Sequence, residues 1–328
     1  MTALLQQFGM KVESTYGTPV TVDRFYELSG ESLRMDIGRT RSAGLRSGQT
    51  FDRTDRFLPF KTGVSGGISL DLPNKSAGVL LNAICGGTAS LGSVIDGTYI
   101  QTHVAGSALT AKFYTLQVNR PDNGATDRVF TYHGCMVSEA VFACDVDGVL
   151  TCEVTWIGED LTTDVALASV SYASATEVFS FVDGSMTIAA AATPVRDWRL
   201  TIRNPLATRR FVAGSALTSK PLRNDKTEVE VEWTCEFDAL TNYNRYVSAT
   251  SAGALASVVA TFNGATVVGG GTTKPYFIAT TPNLDFMEVD GPNLDRNEII
   301  TTRFRGKALY DGSSEACTIT YRSSDAAI

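Results

Sequence analysis

Thr227-Glu-Val-Glu-Val-Glu-Trp-Thr-Cys-Glu-Phe237 is the stretch from which the rest of the chain can be read. Val229, Val231, Trp233, Cys235 and Phe237 alternate with Glu228, Glu230, Glu232, Thr234 and Glu236, and Asp238 follows. Successive side chains of a strand point to opposite faces, so a period of two predicts a half-buried β-strand. One face belongs to a core and the other is a row of carboxylates. Like charges on one strand face lie about 7 Å apart and repel weakly even in water. Such a row is either a solvated outer face that keeps an edge soluble or a surface with a use.

The stretch has a partner elsewhere in the chain. At an offset of 165 residues, Val64-Ser-Gly-Gly-Ile-Ser-Leu-Asp-Leu72 falls on Val229 to Phe237. Ile68, Leu70 and Leu72 then match Trp233, Cys235 and Phe237, and Ser65, Gly67, Ser69 and Asp71 take the polar face. The same offset lays Leu33–Ile37 on Trp198–Ile202. Each strand is followed by a candidate N-cap, Asn74 or Asp238, and by apolar residues at helical spacing that stop at Gly86-Gly87 or near Ser251-Ala-Gly253. The sequence therefore predicts an internal duplication with a period of about half the chain.

Composition agrees with this. The 328 residues allow two domains of ordinary size, and 29 glycines among many Thr, Ser and Val favour an all-β chain with numerous turns. A net charge of −7 excludes a basic nucleic-acid groove. The N-terminus has no basic segment followed by an apolar one, and no apolar run reaches the ~18 residues of a span, so synthesis and folding in a cytoplasm and no membrane partner are expected. Cys85, Cys135, Cys144, Cys152, Cys235 and Cys317 form no Cys-x-x-Cys pair, and His103 and His133 sit in no metal-ligand spacing. The cysteines are read as buried small hydrophobes, with no metal or cofactor expected.

Along the chain, residues 1–24 are expected to form an arm containing Phe8, Lys11 and Tyr16, followed by a first domain over 25–165 and a second over 175–328. Gly38 to Lys61 is a long polar loop with Arg39, Arg41, Arg46, Arg53 and Arg56. Its counterpart, Asn204 to Lys226, carries Arg209, Arg210, Lys220 and Arg223. Loops of this length are usually functional, and finding basic ones in both copies assigns them to contacts between subunits or rings. A glycine-rich turn over Gly86–Gly97, strands at Phe113–Val118, Val129–Tyr132, Met136–Phe142 and Leu150–Ile157, and a hairpin turn at Asp145–Gly148 complete the first half. The second repeats the order at Tyr276–Thr280, Asp285–Val289 and Ile299–Arg305, then adds Ala316–Tyr321. Gly269–Gly271 is a turn. No nucleophile elbow, phosphate loop or catalytic carboxylate pair at strand ends is present, which argues against an enzyme.

The order of these segments resembles the major tail tube proteins of long-tailed, non-contractile bacteriophages. The residues that carry the resemblance are Gly9-Met-Lys-Val-Glu-Ser-Thr-Tyr-Gly-Thr-Pro19, Phe25-Tyr-Glu-Leu28, Trp198-Arg-Leu-Thr-Ile-Arg-Asn-Pro-Leu206, Arg210-Phe-Val-Ala-Gly-Ser215, the Glu228–Phe237 strand with its helix, Thr281-Pro-Asn283 and Phe304–Asp311. The resemblance implies an all-β sandwich of two antiparallel sheets flanked by one short helix, here twice in tandem. It implies a structural virion protein that polymerises into stacked rings around a lumen for genome DNA, with tape measure, terminator and distal tail proteins as further partners. Six domains per ring and two per chain imply homotrimeric rings with pseudo-sixfold symmetry, a homohexamer being the alternative. Glu228, Glu230, Glu232, Glu236 and Asp71 would line the lumen. The alternative reading is a β-sandwich binding or adhesion module such as a tail-tip or capsid-decoration protein.

Overall fold

The computed structural model describes residues 6–106, 112–163, 165–174, 176–265, 272–292 and 299–326. The first five residues of the expected arm and the Gly269–Gly271 turn lie outside them. The first half comprises β1 (Gln7–Val12), β2 (Arg24–Tyr26), β3 (Gly30–Glu31), β4 (Arg34–Arg41), β5 (Phe57–Asp71), α1 (Gly78–Cys85), β6 (Gly86–Ile95), β7 (Thr98–Ala105), β8 (Tyr114–Asn119), β9 (Val129–Asp145), β10 (Thr151–Gly158) and β11 (Asp160–Thr162). The second comprises β12 (Gly184–Ile188), β13 (Ala191–Ala192), β14 (Asp197–Arg203), β15 (Leu206–Ala207), β16 (Leu222–Arg223), β17 (Glu228–Glu236), α2 (Thr241–Tyr246), α3 (Ser251–Ala254), β18 (Leu255–Asn263), β19 (Tyr276–Asp290), β20 (Thr301–Ala308) and β21 (Thr318–Ser323). The fold is an all-β sandwich with short helices at its flank.

Eight antiparallel strands make one layer, in the order β4, β5, β10, β9, β14, β17, β20, β19. The first four come from one half and the last four from the other. The pairing registers recur between the halves: Asp71 opposite Thr151 and Ser65 opposite Ile157 become Glu236 opposite Thr301 and Glu230 opposite Lys307. A bulge leaves Ser138 unpaired between Val137 and Glu139, and the matching bulge leaves out Met287 between Phe286 and Glu288. N-terminal to the bulges, β9 and β19 join the second layer. There β1 lies on β8 as β12 lies on β18, and β21 borders β19 as β11 borders β9.

The alternation that defines β17 sets its packing. Val229, Val231, Trp233 and Cys235 are buried, and Trp233 stacks on Phe304 with centroids 5.5 Å apart and meets Phe286 edge-on at 5.4 Å. In the first half Trp156 meets Tyr114 edge-on, and Phe142 of β9 touches Phe277 of β19 at 5.3 Å, so one apolar cluster runs through both halves.

Several expectations change. Gly86–Gly97 is not a turn region: β6 and β7 form a hairpin whose second strand pairs with β21 across the two halves. Among the described residues the second half shows no such hairpin, α3 leading directly into β18. The paired segments expected at Val129–Phe142 and Tyr276–Val289 are single long strands, because each bulge bends a strand without breaking it. Asn74 and Asp238 cap no helix. Asn74 instead accepts from the Glu177 amide, and α1 and α2 begin after Ala77 and Leu240.

The alignment of Leu33–Ile37 with Trp198–Ile202 slips by two residues. Met35 pairs with Val64 as Ile202 pairs with Val229, which puts Arg34, Met35 and Asp36 in the places of Thr201, Ile202 and Arg203. A slip of two preserves which face each side chain takes. Gly66 lies beside it at φ 136°, where a Cβ would come within 2.4 Å of the Ser32 carbonyl oxygen, so the valine found at the matching position 231 cannot stand there.

The expected arm is part of the sandwich. β1 pairs with β2 and β8, and Phe8 and Met10 are buried. Removing Met1 to Val22 would therefore remove a core strand. Met10→Ala is expected to destabilise the protein by about 2–5 kcal/mol, read as a lowered urea midpoint at unchanged slope; an unchanged midpoint would show that β1 is peripheral.

Candidate lumenal face and subunit-contact surfaces

The polar side of the eight-stranded layer holds the sequence-predicted acidic residues. Pairing brings basic rows to both flanks of β17: Arg199 and Arg203 on β14, and Arg303, Arg305 and Lys307 on β20. Glu230 accepts from Arg203 at 2.7 Å and Arg305 at 2.8 Å, Glu232 from Arg303, Glu228 from Lys307, and Glu236 from Arg196 at 2.7 Å. Arg203 also lies 3.4 Å from Glu139, and Arg305 3.5 Å from Glu288. A charge chain thus crosses five strands in the order Glu139, Arg203, Glu230, Arg305, Glu288, and its first link spans the seam between the halves.

The picture of an unopposed row of glutamates is thereby corrected: each of the four is ion-paired, because cross-strand neighbours carry the opposite sign. The signal was present in the sequence. Arg303-Phe-Arg-Gly-Lys307 is a basic period-two pattern complementary to Glu228–Glu232. In the first half the same face carries Asp71, Asp145 and Glu153 among Ser65, Gly67, Ser69, Thr151 and Thr155, with no basic residue between positions 62 and 71 or on β10.

Burial works against ionisation of Glu230, but the hydrogen bonds from Arg305 and Arg203 outweigh it and hold the carboxyl below its usual range. Those same bonds to Glu230 hold Arg203 and Arg305 above theirs.

The two basic loops differ. The second folds onto its own chain. The Asn204 amide donates to the Ile84 carbonyl at 2.9 Å, Arg223 to the Gly106 carbonyl at 2.8 Å, and Arg210 to the Lys220 carbonyl. The Lys220 ammonium lies 4.7 Å from the Phe113 ring, Leu206 packs with Phe113 and Met136, and of Arg209, Arg210, Lys220 and Arg223 Arg209 alone is exposed. The first loop is a projecting hairpin. Arg39, Arg41 and Arg46 are exposed, Arg41 pairs with Asp52 at 3.2 Å and Arg53 with Asp55, and Arg56 reaches Ser42. Leu45, Phe51 and Leu58 are 101%, 86% and 67% exposed on it. The remaining arm residues face inward or pair locally, Lys11 bonding Asp23 at 2.9 Å and Tyr16 meeting Phe113 edge-on.

Among the described residues no group of three or more His, Cys, Asp or Glu is arranged to hold a metal, and no helix is long and apolar enough to cross a membrane. All six cysteines are free and buried. Burial pushes His103 down to about 4 and keeps it neutral.

A depressed carboxylate contributes stability that is present above its unfolded value of ~4.3 and is lost as pH falls through its folded value. Glu230→Ala is expected to cost about 1–3 kcal/mol at pH 7, and the gap to wild type in urea unfolding should close between about pH 5 and pH 3. An equal gap at both extremes would assign the loss to packing.

Both halves of the layer, its continuous polar face and the exposed hairpin lie within one span of similarity. A family model described as phage tail tube protein matches residues 4–308, and no curated protein matches the chain. The chain belongs to the phage tail tube protein family and is a structural component of the virion tail.

Proposed function

We propose that the chain is the repeating unit of the tail tube of a long-tailed, non-contractile phage. Copies join edge to edge into rings, the rings stack, and genome DNA passes through the lumen. One observation carries this reading: two matching four-stranded sets join through β9 and β14 into a layer with one unburied polar face. Among the described residues that layer has no strand on its outer edge at β4 or beside Glu288–Asp290. A sheet made of repeats with both edges open extends or closes by the same pairing that joins its halves.

With two tube domains per chain and six per ring, three chains complete a ring, and the polar face lines the lumen. Within the second half the carboxylates and cations are nearly balanced. The excess negative charge that repels phosphate comes largely from Asp71, Asp145 and Glu153. The ion-paired Glu228, Glu230 and Glu232 hold the strands of the wall together. Assembly takes place in the host cytoplasm, and the tube ends meet the tape measure, terminator and distal tail proteins.

Electron microscopy of purified protein should show tubes or stacked rings with three chains per ring. Six chains would overturn the stoichiometry. Monomers at every concentration would overturn the tube reading and favour an adhesion module. Asp71→Lys with Glu153→Lys should leave assembly intact while the tubes acquire salt-sensitive DNA binding; tubes that still ignore DNA would remove the first-half carboxylates from the lumen.

A further inference from the structure

The two flanking helices follow matching strands, β5 and β17, yet they are packed differently. α1 buries Gly78, Leu80, Leu81, Ala83, Ile84 and Cys85, whereas α2 buries none of its residues. The cover over the end of α1 comes from the other half. β14 pairs along β9, Asn204 bonds the Ser138 and Ile84 carbonyls, and Arg223 bonds the Gly106 carbonyl just past the β6–β7 hairpin.

At the matching place in the second half no covering strand is present among the described residues. Beside it Leu240, Tyr246, Val247 and Met287 are 57%, 41%, 54% and 51% exposed, Met287 standing where Ser138 stands in the first half. At the opposite edge of the layer, β4 has the place of β14 and runs into the projecting hairpin with exposed Leu45, Phe51 and Leu58. Each edge therefore shows one side of a contact that the chain already makes internally.

We infer that the Glu288–Asp290 edge and the α2 flank of one copy receive β4 and its hairpin from a second copy of this chain. The internal seam fixes the register. There Ile202 faces Ala140 and Thr201 faces Val141. Their equivalents are Met35 with Val289 and Arg34 with Asp290, so the new pairing is antiparallel with those residues opposite each other. Val289 and Met35 then meet on the core side, as Ala140 and Ile202 do.

On the polar side Arg34 lies beside Asp290, and Asp36, which faces Glu288, is held by Arg34 at 3.0 Å and by Ser65. The hairpin's cations approach a flank that carries Asp238 and no basic residue before Arg245. The contact is heterologous, as a closing ring requires. It rests on the ring reading and names the surfaces that join its copies.

Arg34 and Asp290 lie on opposite edges of eight strands, roughly 30 Å apart, so a disulfide between them must link two chains. Across an antiparallel pair the Cα atoms are about 4.5–5.5 Å apart, within disulfide reach. Oxidising assembled Arg34→Cys/Asp290→Cys protein should give covalent multimers on non-reducing denaturing gels. Each single variant should stay monomeric there, and Arg34→Cys/Glu288→Cys should link several-fold less. Leu45→Ser with Phe51→Ser, at exposed positions outside the fold's core, should raise the concentration needed for assembly at least tenfold. Rings that form without covalent multimers, or a hairpin variant that assembles as wild type, overturn this contact and leave the ring reading standing. A wild-type chain that never assembles overturns both.

Discussion

The backbone pairing of β9 with β14 is the constraint on which the rest depends. It joins the last strand of one four-stranded set to the first strand of the next, residue for residue from Asp145 opposite Asp197 to Glu139 opposite Arg203. Without it the chain would be two sandwiches, each with open edges; with it the polar faces merge into one surface and the apolar sides into one core. Open strand edges are a hazard that soluble proteins usually block. Here one pair of edges is closed inside the chain, which among the described residues leaves the eight-stranded layer two open edges, at β4 and beside Glu288–Asp290.

Charge follows from that pairing. A strand carrying Glu228, Glu230, Glu232 and Glu236 on one face is repulsive in isolation, but in the sheet each carboxylate sits among guanidinium and ammonium groups of the next strands. Exposed ion pairs are worth little singly, yet Glu230 is only 11% exposed at its side chain and takes two arginines at once, the geometry in which a network contributes more than its separate pairs. The chain from Glu139 to Glu288 also lies along the direction in which strands add. Its sign alternation favours this order of strands, since the acidic row of β17 is flanked by basic rows on β14 and β20.

Much of this was legible in the sequence because strand periodicity and duplication are local or self-referential signals. The alternation of β17 named its core face, and the match of Val64–Leu72 to Val229–Phe237 anticipated pairings that recur residue for residue with β10 and β20. What was missed depends on non-local pairing. β12 carries too few apolar residues to stand out, and β6 reads as a turn because it is rich in Gly, Thr and Ser. β18 has a clean buried and half-buried alternation from Leu255 to Phe262, but its small residues dilute the hydropathy. The partners of the glutamates lie some 70 residues further along in a pattern that has meaning only once β17 and β20 are adjacent. Composition made the two basic loops look alike, although one docks through Asn204, Leu206 and Arg223 and the other projects.

The β6–β7 hairpin, found among the described residues in the first half alone, would make the internal seam and a seam between copies unequal. Inside the chain the halves are held twice, by β9 on β14 in one layer and by β7 on β21 in the other. Among the described residues the second half has no equivalent of β6–β7, so a seam between copies, as proposed, would reproduce only the β9–β14 type of pairing and would draw its remaining contact from the β4–β5 hairpin. Covalent linkage already makes the internal seam effectively unimolecular, free of the translational and rotational cost that a seam between copies must overcome. If copies join as proposed, the weaker seam is the one at which assembly would be controlled, and it is there that the β4–β5 hairpin and the uncovered helix α2 are found.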